Sequence, residues 1–129
     1  MKFAQRSFFV AGVYGVILLA PMFFLEDYLG REFPPPITHP ELFYGFLGAV
    51  FAWQLVYLLI SRDPLRYRPV MILAILAKVS YGMTTVILLA QGRVPGMIAL
   101  GGGIDLILAA FFAYSYLVTD KLAGPGWPK

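Results

Sequence analysis

The sequence contains no cysteine and a single histidine, His39. The first absence removes disulfides, thiolate nucleophiles and cysteine-held metal or cluster sites. The second leaves a multi-histidine haem or metal centre without ligands. Charge is scarce as well: 13% of the 129 residues are Asp, Glu, Lys or Arg, where a soluble domain carries about a quarter. No basic face interleaved with aromatics is present, so nucleic acid is not an expected partner. No motif names a cofactor, and that line stays open.

Apolar residues fill the space, at 60% of the chain with a mean hydropathy of +0.76. Lipid is the solvent this composition suits. Four apolar runs can be drawn, over 7–25, 40–60, 69–90 and 95–119, each near the ~20 residues a span requires. None has the period-two alternation of a barrel strand. Hydrocarbon cannot satisfy exposed backbone groups, so each run is expected to be helical. The breaks agree: Phe33-Pro34-Pro35-Pro36, then Asp63-Pro64 with Arg68-Pro69, then Gly92-Arg93-Val94-Pro95-Gly96. Pro21 should kink the first span near its far end. The expectation is an all-α integral membrane protein, a four-transmembrane-helix antiparallel bundle forming one membrane domain over 1–123. A flexible tail over 124–129 should follow.

Orientation follows from lysine and arginine. Lys2, Arg6, Arg62, Arg66, Arg68, Lys121 and Lys129 fall on one side, and only Arg31 and Arg93 on the other. Both termini are therefore expected in the cytoplasm, with the protein multi-pass in the cell membrane. Lys2 and Arg6 before an apolar run also fit a signal peptide. That run exceeds the usual ~7–15 residues, and no small-x-small site precedes Glu26, so a retained helix is the expectation. The Arg62, Arg66 and Arg68 loop reads as a membrane-surface feature that enforces topology and meets anionic head groups.

Two charges interrupt the apolar runs. Lys78 lies ten residues beyond Arg68 and Asp105 ten beyond Pro95, each about 15 Å into a core ~30 Å thick. The two spans are joined by a short loop, so an interhelical ion pair is geometrically easy. Such a charge costs roughly 2.5–3.5 kcal/mol on insertion scales and so demands a partner or a purpose. One reading is structural, each charge offsetting the other and fixing the register of the hairpin. The other is a proton relay, an ion pathway or a binding site. Ala74, Lys78, Tyr81 and Thr85 share one face, as do Gly101, Gly102, Asp105, Ala109 and Phe112. Both stripes suit a bundle interior, and the Gly101-Gly102-Gly103 run suits close packing.

Gln54, with Trp53 before it and Tyr57 a turn later, is expected to bond across helices and is a candidate ligand contact beside Lys78, Asp105 and Tyr81. Gly45 and Gly48 on span two, like Ala11 and Gly15 on span one, are small enough for helix contact. At the outer surface His39 and Glu41 are the remaining candidates. Thr38 followed by Glu41 is a capping-box signature, set against a titrating or acid–base role for His39. Glu26, Asp27 and Glu32 lie in the same loop. No catalytic constellation and no metal site emerges.

In length and span count the chain resembles the small multidrug transporters. Their pattern places an essential acid in the first span and balances charge across the membrane, and this chain does neither, so no site residue carries over. Three functional classes follow. The leading one is a non-enzymatic accessory or assembly subunit of a larger membrane complex, or a binder of a lipophilic ligand. The second is a proton- or ion-coupled transporter using Lys78 and Asp105, which would need a homo-oligomer to enclose a path. The third is an intramembrane enzyme acting on a lipid-like substrate.

Overall fold

The computed structural model describes residues 2–32 and 36–123, the side chains of 120–123 excepted. The expected turn at Phe33-Pro34-Pro35 and the tail over 124–129 lie outside the described residues. The chain is all-helical: α1 (Lys2–Leu19), a 3-10 segment (Ala20–Phe24), α2 (Glu26–Glu32), α3 (Pro40–Arg62), α4 (Arg68–Ala90) and α5 (Gly96–Ala123). Four of these segments, Lys2–Phe24, Pro40–Arg62, Arg68–Ala90 and Gly96–Thr119, are long and apolar enough to cross a membrane. Within an apolar 18-residue stretch of each, only 22–28% is buried, and the exposed residues of these helices include Phe9, Ile17, Leu73, Leu76, Leu100 and Ile107. Apolar surface on that scale suits acyl chains, not water.

The boundaries have local causes. Pro21 lacks an N–H and its ring crowds the carbonyl one turn back, so α1 stops at Leu19 and continues as a 3-10 segment. The break is thus a change of helix type. The first helix also starts at Lys2, ahead of the apolar run that begins at residue 7. α2 was not expected. Glu26 and Asp27 stand in its first turn and Arg31 in its last, which complements the helix dipole. α4 ends in a Schellman turn: Gly92 adopts φ +70, its N–H donates to Leu89 O at 2.9 Å, and Arg93 N–H donates to Leu88 O at 2.8 Å. Glycine alone enters that left-handed region without strain. This tight ending returns the chain directly into α5.

α4 packs along α5, α1 along α3, and α1 also meets α5. Glycines decide how closely. A Cβ at Gly82 would lie 2.6 Å from Leu106 Cγ and 2.9 Å from Gly102 O, and one at Gly102 would collide with Thr85 Oγ1. Gly12 and Gly15 do the same for α1 against Leu58 and Gln54 of α3. By contrast, Gly45 and Gly48 have nothing within 4 Å of a Cβ. They do not serve helix contact within the chain, because they sit on an exposed face of α3.

The contiguous core draws on the first half of α1 and α4 and the second half of α3 and α5: Ala4, Phe8, Ala11, Tyr57, Ile60, Met71, Ala74 and Phe112. At its centre Phe8 stacks on Phe112 with centroids 4.1 Å apart, and Tyr57 stands 5.0 Å from Phe112. Arg68 belongs to this end and corrects the view of its loop as purely a membrane-surface feature. It is 4% exposed, its guanidinium lies 3.6 Å from the Tyr116 ring centroid, and its Nε donates to Tyr116 O at 3.2 Å. A planar guanidinium can stack and donate at once, which an ammonium cannot. Arg68→Lys is therefore expected to cost about 1 kcal/mol, read as a lower unfolding midpoint in mixed micelles, with Arg66→Lys as the neutral comparison.

A candidate ligand cavity at a buried charge pair

The helix contacts just described bring Lys78 of α4 and Asp105 of α5 together. Lys78 Nζ donates to Asp105 Oδ1 at 3.0 Å, with 7% and 17% of the two side chains accessible. The ammonium also lies 5.3 Å from the Tyr57 ring centroid. The close approach depends on Gly82 and Gly102, which stand a turn from Lys78 and just before Asp105 on the touching faces. Thr85, in the same contact, turns its hydroxyl back to Gly82 O at 3.0 Å, so its own donor is not left unpaired.

The pair is not sealed. It borders a cavity of about 180 Å³ whose lining includes Tyr14, Trp53, Gln54, Tyr57 and Tyr81. Towards the end where α1 gives way to the 3-10 segment, Leu18 and Phe46 complete the wall, and both are half exposed. The cavity therefore lies on the side of the pair away from the Phe8–Phe112 core. Lys78 retains two N–H directions beyond its bond to Asp105, and Asp105 Oδ2 makes no hydrogen bond to a described residue.

Gln54 corrects its expected role. Its Nε2 donates to Val50 O of its own helix at 2.9 Å and not across helices. The physical reason is Gly15: the carboxamide lies in the space left by its missing side chain, where no partner group stands. Gln54 is 2% exposed, and its Oε1 has no hydrogen-bond partner among the described residues. A buried carbonyl left unmet costs free energy, and this one lies against Gly15. Sequence spacing gave no sign of it, because Gln54 and Gly15 meet only through the packing of α1 on α3.

The remaining candidates lie elsewhere. Tyr81 shares the cavity and packs against Phe46, centroids 6.0 Å apart. His39 and Glu41 lie outside it, each side chain 70% accessible, with Nδ1 and Oε1 3.6 Å apart. The capping box does not form. Pro40 fixes the helix start, so His39 and not Thr38 is the N-cap, and no side chain caps the helix. Among the described residues no group of three or more His, Cys, Asp or Glu is placed to hold a metal. Glu26 accepts from Tyr44 Oη at 2.9 Å, which ties α2 to α3 at the surface. Comparison with known families, with curated proteins and with solved structures finds no match for this chain.

Proposed function

We propose that this chain is a non-enzymatic, multi-pass protein of the cell membrane whose helical bundle binds a lipophilic ligand. The observation that carries the reading is the cavity itself: it touches a buried charge pair and is otherwise lined mainly by apolar and aromatic groups. A few convergent polar atoms in an apolar hollow are the usual make-up of a small-molecule site. The seven-to-two distribution of Lys and Arg supports cytoplasmic termini and, with the short connections, an antiparallel course of the four spans. A proton-coupled carrier would use the same pair. The binding reading is favoured because the aromatic core closes one side of that pair. An enzyme finds less support, since no nucleophile–base arrangement accompanies the pair among the described residues.

Gly101 provides the test. It lines the cavity, and a Cβ there meets nothing within 4 Å, so a larger side chain can enter the hollow without collision. Single-ring lipophiles are expected to raise the unfolding midpoint of the native protein saturably. A ligand at a hundred times its Kd adds about 2.7 kcal/mol. Gly101→Leu should remove that response while keeping or raising the midpoint of the unliganded protein. An unchanged response in Gly101→Leu, or none in the native protein, would rule the reading out.

A further inference from the structure

Resting on that reading, we infer the ligand's chemical class: a neutral amphiphile with a head about one ring in size that both donates and accepts hydrogen bonds. Its aliphatic tail passes Leu18 and Phe46. Size comes first. A cavity of about 180 Å³ compares with the ~150 Å³ engineered cavity that takes up benzene. One ring with small substituents fits, and a sterol nucleus or a whole phospholipid does not. Trp53, Tyr57 and Tyr81 on the wall offer faces and edges to a flat ring.

Polarity comes next. Asp105 lines the cavity with 17% of its side chain accessible, and its Oδ2, which makes no hydrogen bond to a described residue, calls for a ligand O–H or N–H. Lys78 has donors to spare on the same cavity and calls for an oxygen acceptor. Charge completes the description. Lys78 and Asp105 already neutralise each other at 3.0 Å. A carboxylate or an ammonium brought in beside them would add an uncompensated charge in a low-dielectric site. A phenol or hydroquinone head meets all three demands. A fatty acid, a long-chain amine and a plain alkylbenzene each fail one.

The experiment uses the full chain in lipid nanodiscs. Trp127→Phe leaves Trp53 as the only tryptophan, and Trp53 quenching is followed on titration with octylhydroquinone, octylbenzene, decanoate and decylamine. Octylhydroquinone is expected to bind at least about ten-fold tighter than octylbenzene, the difference one hydrogen bond makes. Gly101→Leu, whose added carbons enter the cavity, should weaken quenching by both probes together while keeping or raising the unfolding midpoint. Tighter binding of decanoate or decylamine, or equal binding of octylbenzene, would overturn the inferred class and leave ligand binding standing. Absence of binding by all four would instead remove the proposed function.

Discussion

Lys78→Met alone is expected to destabilise the bundle by about 3 kcal/mol, and Asp105→Asn by a similar amount, whereas Lys78→Met with Asp105→Leu should return close to native stability. Breaking a buried ion pair by removing one partner leaves an uncompensated charge and costs roughly 3–5 kcal/mol. Replacing both partners with apolar side chains removes the desolvation penalty together with the attraction, and is often neutral or stabilising. The lower end of the range applies because Asp105 keeps 17% of its side chain accessible and so is not fully desolvated. Denaturation of the three variants in mixed micelles gives the coupling directly as a double-mutant cycle. Additive losses would show that the two groups act independently and that their 3.0 Å contact contributes little. Proton-coupled transport predicts a different pattern, with Asp105→Asn folding normally and flux abolished.

Gly102→Ala and Gly82→Ala are expected to be the most harmful single-methyl additions in the membrane region, each costing about 1–3 kcal/mol as overpacking. The reason is the identity of what the new carbon meets. At Gly82 it would stand 2.9 Å from the backbone oxygen of Gly102, an atom that cannot rotate away. At Gly102 it would collide with Thr85, whose Cβ lies 2.9 Å from the new atom. Relief requires α4 and α5 to separate, which also lengthens the Lys78–Asp105 contact. Gly103→Ala is the internal control, since nothing lies within 4 Å of its Cβ, and its effect should stay within about 0.5 kcal/mol. Equal tolerance at 82, 102 and 103 would mean that the helices do not touch along this line.

The four long helices could be read from the sequence because hydrocarbon leaves a run of about twenty apolar residues no other backbone state. Depth was legible for the same reason: a fixed rise per residue put Lys78 and Asp105 at matching distances along neighbouring spans. Which neighbours each side chain meets was not. The run Gly101-Gly102-Gly103 offers three equivalent small residues, and only Gly102 meets a neighbouring helix. Gly45 and Gly48 looked equally suited and meet nothing within 4 Å. The Thr38–Glu41 pattern misled because Pro40 sets the helix start one residue later than the box requires. Counting Arg68 with the other cationic residues hid its stacking on Tyr116, 48 positions away. α2 left a signal in Glu26, Asp27 and Arg31, in a segment too short for periodicity. The cavity has no sequence signature at all, because a hollow is a property of how four helices fail to fill a space.

The stack of Phe8 on Phe112, centroids 4.1 Å apart, has a mechanical consequence. It clasps the first helix to the last at one end of the bundle, on the far side of Lys78 and Asp105 from the hollow. The two rings stand on residues 8 and 112, so this clasp can close only after the last span has been made.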